Sequence, residues 1–194
     1  MRSNLRITHT HWPIATIVRM ATEESIGRIA WLYHFTDSRN LPSIRALGGL
    51  YSMQRLKELG IDSLFPGGNE WSLSADENSG MDRYVHLCFR QNHPMEFRAR
   101  ERGQIERTLW VYADAQSIFK MRGVRFSPGV SNKAGMETIP LKEAANMIDY
   151  DVLYSGWSLR NRDVQIRMST AERCEILVPD FLPIKYFERF LPNG

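Results

Sequence analysis

The apolar positions of this chain fall into short runs with two different periods. "IAWLYHF" (Ile29–Phe35) is aromatic-rich and reads as a first buried strand. "RYVHLCF" (Arg83–Phe89), "TLWVYA" (Thr108–Ala113) and "CEILV" (Cys174–Val178) read as further strands. Two short helices follow the first strand. In "NLPSIRALGGL", Asn40 suits the cap, Pro42 the first turn, and Gly48 or Gly49 the stop. "SMQRLKELG" repeats that logic from Ser52 to Gly60. Asp114 is placed to cap a helix over "AQSIFKM", "HPMEFRARERGQIER" is partly helical, and "LKEAANMIDYDVLY" reads as one helix. "FPGGNEWSLSADENSGMD" (Phe65–Asp82) is a long polar loop, "SLRNRDVQIRMSTA" is a polar, basic loop, and "PIKYFERF" is a closing helix. Strands and helices mix without a βαβ repeat, which favours an α+β fold over a doubly wound sheet.

Length and charge narrow this little further. The 194 residues suit one domain, residues 29–194, preceded by an arm over residues 1–28. The net charge of +3 permits an anionic partner. Arginine clearly outnumbers lysine, and its forked guanidinium favours phosphate. Cys88 and Cys174 cannot build a disulfide framework and read as reduced thiols, which fits the cytoplasm. No run approaches the roughly 18 apolar residues of a membrane span, and "WPIATIV" is too short and Trp-Pro-led for a signal peptide.

Common sites are missing. There is no GxGxxG after a strand, no GxxxxGK[ST], no HExxH and no paired CxxC. His9 and His11 have a two-residue metal spacing, but they sit in the arm, so no metal is expected. On spacing alone, His34 is a satisfied core histidine, and Arg160, Arg162 and Arg167 belong to a solvated, charge-mixed loop.

Four segments read together change this. "YHFTDSRNLPSI", "DRYVHLCFRQNHPM", "DAQSIFKMRGVRFSPGVSNKAG" and "RCEILVPDFLP" resemble, in order and spacing, the motifs of the DarT family of toxins that ADP-ribosylate bases in single-stranded DNA. The resemblance spans Trp31 to Phe187. It implies an ADP-ribosyltransferase-like α+β fold, with two small, mostly antiparallel sheets and short peripheral helices around a cleft that grips NAD+ as co-substrate. It places Glu175 as the catalytic carboxylate, and Glu172 is the competitor because some transferases use an E-x-E pair. His34 and Thr36 match the family's H-x-T, which implies that His34 works in catalysis and, with Thr36, holds NAD+. Asn40, Tyr84 and Phe89 are further implied NAD+ contacts, the two aromatics by stacking, against a plain core role. Arg160, Arg162 and Arg167 would face single-stranded DNA. A macrodomain antitoxin is the implied partner.

Two departures stand out. Thymidine-modifying members carry an arginine in the loop before "DYVP", but residues 63–81 here hold none. Its role would fall to Arg83, Arg90 or a late-loop arginine. "YVPFYF..RSPM" has become "YVHLCFRQNHPM". Both changes suggest a divergent branch, with the guanine-modifying branch of the family as the candidate, and the implied acceptor base is guanine or thymine. The alternatives are transfer to RNA or protein, or a single-strand binder that has lost NAD+.

Overall fold

The computed structural model describes residues 26–62, 65, 66, 70–91, 93–144, 146–154 and 160–192. Most of the expected arm, with His9 and His11, lies outside them. Ile26 and Ile29 are tied to the fold, since the Gln116 amide donates to both of their carbonyl oxygens.

The elements run β1 (Trp31–Asp37), α1 (Leu41–Ala46), β2 (Gly49–Tyr51), α2 (Met53–Glu58), α3 (Glu70–Ser79), β3 (Tyr84–Cys88) and α4 (Pro94–Glu101). They continue with β4 (Thr108–Asp114), α5 (Ala115–Phe119), β5 (Arg125–Ser127), β6 (Ile139–Pro140), α6 (Leu141–Ala144), α7 (Tyr150–Tyr154) and α8 (Arg162–Ala171). The chain closes with β7 (Glu175–Pro179), β8 (Phe181–Pro183) and β9 (Phe187–Pro192). The fold is α+β, as expected. Its two sheets are unequal: seven strands in the order β6-β5-β7-β3-β1-β4-β9, and a pair, β2-β8. Each recorded pairing is antiparallel.

Two of the three expected caps form, and the third, Asn40, makes no cap bond. Ser52 Oγ accepts from the Arg55 amide, and Asp114 Oδ1 accepts from the Ser117 amide. Gly48 takes a positive φ of 75° and ends α1. Gly49 answers to crowding, because a Cβ there would sit 2.2 Å from the Leu182 carbonyl oxygen.

Four expectations are corrected. The polar stretch before β3 contains helix α3, and the late basic stretch is helix α8. Residues 141–154 form two helices, α6 and α7. "PIKYFERF" is a 3-10 turn leading into edge strand β9.

The main core lies on one face of the large sheet. Leu32, Val85, Leu87, Val111, Ile176 and Val178 pack there against residues of α5, α7 and α8. Asp37 fastens the end of β1. Its buried carboxylate accepts from Arg39 through both oxygens, 2.8 Å each, and from the Glu106 amide. The Arg39 hydrogen bond, outweighing burial, holds that carboxyl well below its usual range.

Candidate active site

β7 is short and apolar after its first residue, so burying Ile176, Leu177 and Val178 fixes Glu175 at the strand's leading edge. Glu175 is 4% exposed and lines a cleft of about 630 Å³. Its Oε2 lies 3.2 Å from His86 Nδ1 and accepts from the Ser131 backbone amide at 3.3 Å. His86 Nε2 faces the Met81 carbonyl oxygen at 3.1 Å. A carbonyl and a carboxylate both only accept, so these two partners favour a proton on each ring nitrogen and an imidazolium at His86, with Ser131 Oγ also 3.3 Å from Nδ1. Burial alone would lower the His86 pKa, but the hydrogen bond and charge of Glu175, with Asp76 behind it, raise it. Burial alone would raise the Glu175 carboxyl, and His86 reverses that too. The site is a buried carboxylate–imidazolium pair with the His86 side chain 30% exposed.

The opposite wall comes from β1 and α1. His34 Nδ1 lies 2.9 Å from the His86 carbonyl oxygen, so Nδ1 donates and Nε2 is the acceptor. Burial pushes the His34 pKa down to about 4, which keeps the ring neutral. Asn40 occupies the N-cap position of α1 but makes no cap bond. Its amide donates instead to Thr36 Oγ1 at 2.9 Å and to the Phe65 carbonyl oxygen at 2.8 Å. His34, Thr36, Asn40, Tyr84 and Glu175 all line the one cleft. An ordinary helix cap has become a brace for the wall.

Other expected residues lie elsewhere. Phe89 is 0% exposed and packs edge-on against Phe126 in the core, so it does not reach the cleft. Its position follows from strand parity: Phe89 shares a face with Val85 and Leu87, opposite Tyr84. Arg167 is committed to Asp149, at 2.7 and 2.8 Å, and to Asp151 at 3.1 Å, pinning α8 to α7. Arg160 and Arg162 are exposed where α8 begins, outside the cleft. Arg90 donates to Met168 Sδ, and Arg83 does not line the cleft either. Among the described residues, the arginines lining the cleft are Arg98 and Arg102, four residues apart on and just after α4. Glu172 caps the end of α8, outside the cleft.

Reading the sequence missed His86, Asp76, Ser131 and the two α4 arginines. His86 carried a signal, since a histidine stands where the family motif has proline. Ser131 lies within "DAQSIFKMRGVRFSPGVSNKAG", but nothing in that segment marks its amide as a carboxylate donor.

Residues 33–191 match the family described as "ssDNA thymidine ADP-ribosyltransferase, DarT". A search of curated protein sequences gave no match. Solved structures resemble the chain in fold. Thermus sp. 2.9 DarT in complex with ADP-ribosylated ssDNA has a TM-score of 0.64 at 16% identity, covering 84% of this chain and 80% of that one. The same protein in complex with NAD+ has a TM-score of 0.59 at 17% identity, covering 84% and 81%. Thermosipho africanus DarTG in complex with ADP-ribose has a TM-score of 0.58 at 14% identity, covering 83% of this chain and 43% of that one. The family match takes in both walls of the cleft and the strand that carries Glu175, and the chain belongs to the DarT family of single-stranded DNA ADP-ribosyltransferases.

Proposed function

We propose that this cleft takes ADP-ribose from NAD+ and joins it to a base of single-stranded DNA, releasing nicotinamide. The observation that carries the reading is the buried Glu175 carboxylate, held ionised by His86 in a cleft walled by His34, Thr36, Asn40 and Tyr84. Cleavage of the nicotinamide–ribose bond develops positive charge on the ribose. A fixed, buried carboxylate at the cleft wall stabilises that charge without reorganising. Oε2 is occupied by His86 and Ser131, which leaves Oε1 for the ribose 2′-hydroxyl and then for the proton of the attacking base. Neutral His34 offers Nε2 as an acceptor to the nicotinamide amide or its ribose. Thr36, Asn40 and Tyr84 complete the NAD+ contacts, and Arg98 and Arg102 supply cations for its diphosphate. The acceptor base must leave its stack to reach the ribose, which favours single strands.

Thymine is the acceptor in the family's description. Guanine is the second reading, supported by the arginine-free stretch 63–81 and by cleft arginines that come from α4. Arg160 and Arg162, exposed at the start of α8, suit contacts to the strand. Unchecked base modification would poison a host, so the activity fits a toxin acting in the cytoplasm and restrained by a macrodomain antitoxin. Incubation with labelled NAD+ and single-stranded oligonucleotides tests the reading. Label should enter the oligonucleotide, and Glu175→Ala should abolish it. Label on protein or only on RNA contradicts the DNA reading.

A further inference from the structure

The sheet face opposite the main core carries a row of side chains at one level. The register runs Glu175–Cys88–Tyr33–Tyr112–Arg189 across β7, β3, β1, β4 and β9. Residues directly opposite each other in neighbouring strands point to the same face. The row therefore leads from the catalytic carboxylate to the edge strand, four strand spacings of about 4.8 Å or roughly 19 Å. Tyr33 meets Tyr112 edge-on at 4.9 Å, and the Arg189 guanidinium lies 4.3 Å over the Tyr112 ring. Trp31 and Phe35 flank Tyr33 along β1 on the same face, and both, like Tyr33, are partly exposed. Arg90, at the end of β3, is exposed, and its charge, like that of Arg189, is felt at Tyr33. Tyr33, Phe35 and Cys88 also line the cleft, so the aromatic face is continuous with the site.

Aromatic faces interleaved with arginine are what splayed bases and their phosphates bind: rings stack on bases of any sequence, and guanidinium groups pair with phosphate. We propose that this face is the track for the nucleotides flanking the modified base. Flanking bases stack on Tyr33 and its aromatic neighbours, and Arg189 and Arg90 take phosphates. The inference rests on the proposed DNA activity.

The test uses the full chain and a fluorescent single-stranded oligonucleotide carrying one modifiable base within a long flank, compared with a short oligonucleotide. Arg189→Ala should weaken binding of the long strand and reduce the slope of log K against log salt by about 0.7, one phosphate contact to a single strand. It should leave the short strand and the KM for NAD+ unchanged. Tyr33→Leu keeps the bulk and removes the stacking face, so it should weaken the long strand by about 5- to 150-fold, whereas Tyr33→Phe should not. Lys185→Ala removes an exposed charge off the row and should behave as wild type. Wild-type affinity and salt slope in both Arg189→Ala and Tyr33→Leu overturn the proposal. Loss of a protein partner with DNA binding intact in Arg189→Ala also overturns it and gives the face to that protein. A wild-type chain that neither binds nor modifies the strand removes the functional reading, and the track with it.

Discussion

Replacing His86 with leucine removes the hydrogen-bonded imidazolium that does most to hold Glu175 ionised. A hydrogen bond to a charged group contributes about 1.5–3 kcal/mol, and the partial exposure of His86 argues for the lower end. About 1.5 kcal/mol corresponds to a loss of roughly tenfold in kcat/KM at neutral pH. The sign of the pH effect follows from the pair. In wild type, the Glu175 carboxyl is depressed, so the active carboxylate is present at neutral pH and is lost only as pH falls through the acid range. His86 is raised, so its support is present at neutral pH and fades as pH rises through its elevated value. His86→Leu leaves a buried carboxylate with the Ser131 amide and the weaker influence of His93, and burial then drives its pKa upward. The acid limb of the kcat/KM profile should move to higher pH, and any alkaline limb should disappear. His86→Gln, which keeps a donor, should recover part of the loss. The assay is ADP-ribosyl transfer to an oligonucleotide between pH 5 and 9. A His86→Leu profile that superimposes on wild type refutes the role given to the pair.

Arg167→Leu breaks an exposed three-oxygen clamp and should lower the urea midpoint only slightly, with the oligonucleotide KM unchanged. A raised KM would return Arg167 to DNA binding. Asp37→Asn should cost about 2–3 kcal/mol, because a buried carboxylate loses its charge towards Arg39. The depressed Asp37 carboxyl stabilises the fold above the ordinary aspartate range, so that difference should shrink as pH falls below it. Gly49→Ala places a methyl against the Leu182 carbonyl oxygen and should destabilise by about 1–3 kcal/mol, read as a lower urea midpoint.

The cleft was legible where a single strand sets it. Glu175 stands out because an apolar run follows it immediately, and the H-x-T pair because it sits inside an aromatic strand. Helix α3 was hidden because "SADENS" is poor in helix formers and lacks an apolar stripe, so its stability comes from tertiary contacts. Strand β9 was hidden by the 3-10 turn before it and by a register shift opposite Tyr112 and Ala113, which breaks the alternation. Arg167 looked like a phosphate ligand because its charge partners lie 16 and 18 residues upstream, beyond the reach of local spacing. His86 required knowing that β3 pairs with β7 in the register that sets Cys88 opposite Glu175. That pairing is a tertiary fact.

The proposed transfer of ADP-ribose to a DNA base depends on Glu175. The direct measurement is mass spectrometry of a single-stranded oligonucleotide treated with the protein and NAD+, then digested to nucleosides. An ADP-ribosylated nucleoside, thymidine or deoxyguanosine, should appear with wild type and vanish with Glu175→Gln. Unmodified nucleosides from the wild-type reaction would refute the transfer, and equal modification by Glu175→Gln would refute the role given to Glu175.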